Sequence, residues 1–572
     1  MSGRYGFASR CLTAIVLVLA TALMTFADES TQYLQFPLVD HPAYDYFSRL
    51  ETSQDVPLFS GTRPYLGFVY HPRRLPEEAS RSCEARRYLA EGSGNMFIVG
   101  QFRDEPRESS WNAVKDKLPF GLRRASWLYE SGFHLASWEY DSTLAASIQP
   151  VYGLDVIRTD SADRTIKRFA GGLRVEGGYA QRLHFMVDFR DYTESGNGSY
   201  LGDAIGRGRL YEDRWGLVEL GDSSSKPMST SYNISESFLQ YYGQNLSLAA
   251  GRGRFRWGPA QFGSLFLNSQ MPPFDYVRFD AAIEAQHSDA AVYYTFLHGW
   301  LESDLPAETL YVNPGGRPRT LDAAKYLSAQ RLELRPFRNL LFGLSQGIVY
   351  GDRPVQLGYV TPLNFLYSVQ HSMNDKDNFV LGMDGTWRPV RGMKFYSELF
   401  FDDITVSALT TARGTNKSAY TVGTQLMLPH PFFEHFDARV EYTKIRPFVY
   451  SHIFAANVYT HWTSPIGYTR QPNSEFLTAE LRAVFYPLEV AVHIVHQNHG
   501  SVGGNIYTPL YENSQTNVYK FLSGDLVRTT RAGLQASCEV LPNLFVFASG
   551  TQVKTTAKPD RVELEGGFSW NR

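Results

Sequence analysis

Cysteine is nearly absent from this chain: three in 572 residues, of which Cys11 lies in an amino-terminal segment expected to be removed. The other two, Cys83 and Cys538, make no disulfide framework and read as isolated small apolar residues, Cys538 on the outward parity of its strand. Long apolar runs are missing as well. After the first 27 residues no stretch is apolar for the roughly 18 residues that a membrane helix requires, and mean hydropathy is −0.28. Positive charge is not in excess: 55 basic side chains face 58 acidic ones, and losing Arg4 and Arg10 with the leader brings the net charge to −5. A nucleic-acid partner, which would need a basic stripe, is not expected. HExxH, Walker and CxxC motifs are lacking, so zinc and phosphate chemistry have no local constellation. No cofactor and no metal are expected.

What is present begins with Arg4 and Arg10 before an apolar core, Leu12 to Phe26, and a small-residue cleavage site near Ala27. That is the pattern of a secretory signal peptide, residues 1–27. Aromatic residues make up 14% of the chain, with 35 Tyr and 38 Phe, which suits girdles at two membrane interfaces. Residues 28–135 carry helical spacing. Pro42 opens a pattern in which Ala43, Tyr46, Phe47 and Leu50 share one face. A second helix is expected from Pro76, Glu77 and Glu78 to Arg86, Arg87 and Gly92, and a third around Trp111, Val114 and Leu118. This is read as a small periplasmic helical domain and a candidate plug.

From about residue 140 the period changes to two. In the last segment Val562, Leu564, Gly566, Phe568 and Trp570 alternate with Arg561, Glu563, Glu565, Gly567 and Ser569, one face for lipid and one for an aqueous lumen. Phe379, Leu381, Met383 and Trp387 alternate likewise with Asp384, Thr386 and Arg388. Breaks at Pro336–Asn339, Pro389–Gly392, Pro429–Pro431, Pro487 and Pro542-Asn543 mark tight turns. Between them lie long connections at 351–377, 403–417, 447–474 and 500–524. About eighteen strands result, with 194–231 the one interval where a further hairpin has room. The expected fold is an all-β transmembrane barrel of about 18 antiparallel strands over residues 136–572, with long external loops and the small amino-terminal helical domain before it. Only a closed barrel satisfies every backbone group of a non-helical chain in lipid, so the expected location is the outer membrane of a Gram-negative-type bacterium.

Arg331, Glu333, Arg335, Asp384, Arg388, Glu398 and Asp402 are expected to face the lumen. The pair Asp402-Asp403 has the chemistry for acid–base or metal work, but mixed charges on an inner wall more often pair with one another and with a plug. Gly251-Arg-Gly-Arg254 matches no dinucleotide fingerprint and is read as rim structure.

Arg256-Trp257-Gly258-Pro259, then Asn268 and Pro273-Phe274, resemble the W-G-P…L-x-x-N…P-F signature of the Wzi capsule-assembly outer-membrane proteins. Gly343 to Gly351, Asn364, Asp377-Asn378 and Asp402-Asp403 are similar to that family's later strands and loops. Where the family often carries an acidic residue, this chain has Gln346. The resemblance covers most of the mature chain. It implies an eighteen-stranded barrel with an amino-terminal helical bundle at its periplasmic end, acting as a surface lectin for capsular or related exopolysaccharide.

The loops carry suitable chemistry of their own: Tyr450, His452, Tyr459, His461, Trp462 and Tyr468 in one, Tyr507, Tyr511 and Tyr519 in another, and Arg209, Tyr211, Arg214 and Trp215 in a third. Flat rings cover the C–H face of a pyranose while Arg, amides and hydroxyls bind its edge. The competing reading of these rings is an interfacial girdle or loop self-packing. The expected function is a non-enzymatic polysaccharide anchor. A porin or solute channel is the alternative, and a barrel hydrolase or acyltransferase is the third reading. The expected partners are surface polysaccharide, outer-membrane lipids and lipopolysaccharide, and the barrel assembly machinery.

Overall fold

The structure, a computed structural model, describes residues 43–53, 57–64, 136–140, 144–159, 164–180, 182–196, 230–243, 245–285, 288–303, 310–312, 318–320, 324–373, 376–403, 417–433, 435–485, 487–508, 520–541 and 544–570. Eighteen antiparallel strands close into a barrel. They are β1 Leu144–Thr159, β2 Arg164–Tyr179, β3 Leu183–Gly196, β4 Thr230–Tyr242, β5 Leu246–Gly253 and β6 Phe274–Glu284. Then come β7 Ala291–Glu302, β8 Ala324–Phe337, β9 Leu340–Gly351, β10 Asn378–Val390, β11 Met393–Asp403 and β12 Lys417–Met427. The last six are β13 His435–Ile445, β14 Ser474–Phe485, β15 Leu488–Gly500, β16 Leu526–Leu541, β17 Leu544–Thr555 and β18 Arg561–Trp570. The seam closes between β18 and β1, from Trp570 opposite Tyr152 to Glu563 opposite Thr159. A short strand, Ala136–Tyr140, continues it by pairing with Leu144–Ile148.

The two-residue period governs the strands and is interrupted in the upper halves of β7, β8 and β9. In β9 the outward Phe342 and Leu344 are exposed while the inward Leu341 and Ser345 are buried. Cys538 is free and shares its parity with the exposed Leu534. All seven predicted lumenal charges share the inward parity. Arg331 takes Asp384 in a forked pair, 2.9 Å on one arm, and Glu333 at 3.0 Å. Buried charges in these numbers stand only because they are paired and hydrogen-bonded.

Short turns and long loops occupy opposite ends, which orients the barrel with its turns toward the periplasm. The rotation of short and long connections has two exceptions at the loop end. Residues 160–163 and 556–560, on either side of the seam, are as short as turns. The long connections all lie between β3 and β16. Residues 197–229, with the interval for a further hairpin, lie outside the described residues.

Of the amino-terminal region, α1 (Ala43–Ser53) and residues 57–64 are described, and the expected second and third helices lie outside. On α1 Phe47 and Leu50 of the expected face are buried, and so is Tyr44, which that spacing does not include; the side chains of Ala43 and Tyr46 lie outside the described residues. The helix lies inside the barrel near the turns. Asp45 meets Arg482 at 2.8 Å and Arg439 at 3.4 Å, Glu51 meets Lys394 at 3.0 Å, and the Thr52 carbonyl accepts from Gly392 N at 2.6 Å. The chain then climbs the lumen, where Gly61 N donates to Glu333 at 2.7 Å.

Candidate functional site

β5 is only eight residues long. Past Gly253 the chain leaves the wall and turns inward, so the Gly251–Arg254 run is an exit point below the rim rather than rim structure; Arg254 is held there by Glu236 at 2.6 Å. Residues 254–273 then enter the lumen. Thr62 and Arg63 pair with Trp257 and Arg256, and Gly258 N donates to the Gly61 carbonyl at 3.0 Å. The segment rising from the periplasmic end thus meets the loop descending from the outside.

Two inner-wall carboxylates hold this loop by its backbone. Glu398 accepts from Ala260 N at 2.9 Å and Leu265 N at 2.8 Å, and Glu441 accepts from Gln261 N at 2.8 Å and from the Tyr396 hydroxyl at 3.0 Å. Gly258 has φ +120°, and a Cβ there would come within 2.1 Å of Glu398 Oε1. Trp257 is buried and stacks on Phe266 at 5.6 Å. The Phe266 ring reaches the wall at Gly382, where a Cβ would stand 2.8 Å from it.

The loop 446–473 lies over this one and is sewn to it. The Tyr450 hydroxyl donates to the Leu265 carbonyl at 2.7 Å, the Tyr459 hydroxyl to the Phe266 carbonyl at 2.7 Å, and Asn268 N to the Ile466 carbonyl at 2.8 Å. Asp402 accepts from Tyr450 N and lies 3.7 Å from Lys417. The Asp403 side chain lies outside the described residues. Wall residues Val349, Val380, Phe400 and Phe476 complete one apolar cluster with both loops. Each fully buried large side chain in it contributes about 1.5–3 kcal/mol.

This packing revises the expected sugar-binding set. Tyr450, Tyr459, His461 and Tyr468 are buried, their faces covered by Phe400, Phe274, Phe476 and one another. They build the roof from beneath instead of presenting rings to a polymer. His461 Nδ1 accepts from Glu302 N at 3.0 Å, and burial, reinforced by Lys325, pulls its pKa down to about 3. His452 is likewise lowered to about 3 by burial, with Nδ1 accepting from Phe454 N at 3.1 Å. Trp462 is half-buried and Tyr507 is exposed. Tyr511, Tyr519, Arg209, Tyr211, Arg214 and Trp215 lie outside the described residues, as does Cys83.

Gly343-Leu-Ser-Gln-Gly347 has the G-x-S-x-G spacing of an acyl-transfer nucleophile. Ser345 nonetheless sits buried in the middle of β9 with Arg331 donating to its hydroxyl at 3.0 Å, whereas a nucleophile elbow needs a strand-to-helix turn.

The remaining signature residues organise a second structure. The loop after β9 forms two short helices, α2 (Leu357–Val360) and α3 (Leu366–Ser372). Asn364 Nδ2 donates to the Gly358 carbonyl at 2.8 Å, Asp377 accepts from the Tyr359 hydroxyl at 2.6 Å, and Asn378 Nδ2 reaches the Asn457 carbonyl at 2.9 Å.

The capsule assembly protein Wzi family model matches residues 155–518. Among solved structures the chain is similar to Wzi, an outer-membrane protein involved in group 1 capsule assembly in Escherichia coli and a carbohydrate-binding β-barrel. The TM-score is 0.54 at 11% identity, over 94% of this chain and 99% of that one. Acinetobacter baumannii OccAB4 (12% identity) and Pseudomonas aeruginosa OprD (13%) each give a TM-score of 0.39 over 74% of this chain, covering 97% and 92% of theirs. No curated protein matches the chain.

Proposed function

Because the chain belongs to the Wzi capsule-assembly family, we propose that it is an outer-membrane lectin that holds capsular or related exopolysaccharide at the cell surface. The observation that carries this reading is the family match over residues 155–518 on a closed eighteen-stranded barrel. The meeting of the described loop 254–273 with residues 61–63 inside the barrel supports an anchor over a conduit, since conduction needs a continuous wet path. A long repeating polymer is retained by many weak contacts at once, and such binding calls for no covalent chemistry.

In this reading residues 1–27 are cleaved near Ala27, and 28–135 form a periplasmic helical domain whose α1 end plugs the barrel. Assembly machinery inserts the chain among outer-membrane lipids and lipopolysaccharide. Polymer would rest on the roof, where Trp462 and Tyr507 are the expected sugar-binding rings that keep solvent exposure among the described residues and Tyr511, Arg209, Tyr211 and Trp215 are further candidates. The test is retention: a deletion strain should shed surface polysaccharide, and immobilised full-length protein should capture the purified host polymer. Undiminished surface polymer together with stable, large, ion-selective channels in planar bilayers would favour the porin reading.

A further inference from the structure

The outer wall of β7 to β10 breaks the rule that lipid-facing positions are apolar. On the outward parity of these strands stand His298, Ser328 and Gln330, which are buried, and Gln346, which is half-buried. They form one stripe, since Ser328 is opposite His298, and Gln330 opposite Gln346. Apolar outward residues lie below it, among them Leu332, Leu344 and Met383, and Trp300, Tyr326 and Tyr350 lie above.

The stripe is within the membrane band. Gln346 is six residues along β9 from Leu340, which pairs with Trp387 at the turn end. That places it about 15 Å higher in a band about 25 Å tall, for a rise of 3.4 Å per residue and a tilt near 40°. Four polar side chains at that depth require a partner.

For Ser328, Gln330 and Gln346 the partner is the α2–α3 hairpin, which folds down the outside of the wall, while His298 packs against the rings of Trp300, Tyr326 and Tyr350. Gln330 Nε2 donates to the Asn364 carbonyl at 3.0 Å, Gln346 Nε2 to the same carbonyl at 3.2 Å, and Leu366 N to Gln346 Oε1 at 3.1 Å. Leu363 N donates to the Tyr294 hydroxyl at 3.2 Å, and the Ser328 hydroxyl to the Tyr359 carbonyl. Tyr359 and Leu366 pack on Ile348 and Tyr350. The tip of the hairpin, 362–365, therefore reaches the level of Leu332 and Leu344. Its irregular backbone finds on the wall the hydrogen bonds that lipid does not offer. The far side of the hairpin is uncovered and mainly apolar toward its tip: Leu357 and Leu363 are 78% exposed, with Phe365 and Tyr367 also exposed, while the exposed polar residues are Thr361 and, toward the end of α3, Ser368, His371 and Ser372.

We propose that this hairpin is seated in the outer leaflet, its polar side satisfied by the stripe and Leu357, Leu363, Phe365 and Tyr367 in contact with lipid acyl chains. The apolar face is continuous with the barrel's own lipid-facing belt, which argues for acyl chains over a second protein. The inference rests on the fold alone and is independent of polysaccharide binding.

The test uses the full chain with Cys83→Ala and Cys538→Ala, and Phe365→Cys labelled with an environment-sensitive fluorophore, in phosphatidylcholine vesicles containing doxyl-labelled lipid. Val492→Cys, on the belt, and Asn505→Cys, in an outer loop, are the references. The expected result is doxyl quenching at 365 comparable to that at 492, with iodide quenching several-fold below that at 505. Iodide quenching equal to 505 would overturn the proposal, and so would protection from both quenchers, the sign of a second copy or another protein on this face. Adding Gln330→Leu and Gln346→Leu should raise iodide access at 365 while heat-modifiable mobility persists. A hairpin still quenched by doxyl in that background would refute the anchoring half of the proposal.

Discussion

His452 and His461 carry a consequence at the scale of single residues. Both have neutral rings in the folded loop, each accepting a backbone N–H, and both are lowered by burial from 6.5 to about 3. Once the loop is released they take up protons first, so between pH 6.5 and 3 the open form binds more protons and stability falls as pH falls. Hydrogen exchange of residues 446–468, corrected for intrinsic rate, should be faster at pH 5 than at pH 7.5. The change should shrink with His461→Gln, and an unchanged pH response in that variant would remove His461 from the account. Truncating a ring in the same cluster acts through packing: Tyr459→Ala should cost roughly 3–5 kcal/mol of loop stability, read as early proteolysis of 446–473. Residue roles were the least legible part of the sequence. Tyr450, Tyr459 and Tyr468 were recognisable as aromatic loop residues, but a ring in a loop looks the same whether it faces solvent or packs beneath a roof. The difference is set by the opposite loop, almost two hundred residues earlier.

Among elements, strands were legible and infolded loops were not, for a physical reason. A strand reports its two environments through its own alternation, whereas a loop inside a lumen reports only through the wall it touches. The signals were violations of the period: Val349 on an inward position between the outward Ile348 and Tyr350, where the plug packs, and Gln330 and Gln346 on outward positions, where the hairpin packs. The signature around Trp257 is explained at this scale, because it places a loop whose backbone amides bind Glu398 and Glu441. Gly258→Ala puts a Cβ against the Glu398 carboxyl group at a left-handed φ, and Glu398→Gln replaces one of its two acceptor oxygens by an NH2 that cannot accept from Ala260 N or Leu265 N. Each change should weaken the seating of 254–273, by about 1–3 kcal/mol for an amide left unsatisfied. Both variants should give more frequent and larger conductance events in planar bilayers than the parent, at unchanged heat-modifiable mobility. Silent bilayers with both would mean that the loop is held chiefly by its apolar contacts.

For the whole molecule, the closed hydrogen-bond ladder from β1 to β18 predicts fractionation with the outer membrane and a heat-modifiable mobility, and recovery in the soluble periplasm would contradict the barrel. The connections beside the seam, 160–163 and 556–560, are short, and the described part of the roof is built by the loops 254–273 and 446–473. Tyr507 and Trp462 belong to the long loops 501–525 and 446–473. Since Tyr459 and Tyr468 lie beneath, replacing them tests folding, and replacing the accessible pair tests binding. Stacking contributes on the order of 1 kcal/mol per ring, so Trp462→Ala with Tyr507→Ala should weaken capture of a short oligosaccharide about tenfold or more. Multivalent contact amplifies the loss along a polymer, so cells carrying the double variant should shed polysaccharide more than either single variant. The controls are membrane fractionation, heat modifiability and conductance, all expected at parental values because neither ring belongs to the buried cluster that joins the two loops to the wall. Parental capture by a correctly inserted double variant would move the polymer to another part of the rim, and Arg209, Tyr211, Trp215 and Tyr511, which lie outside the described residues, would be the next to replace.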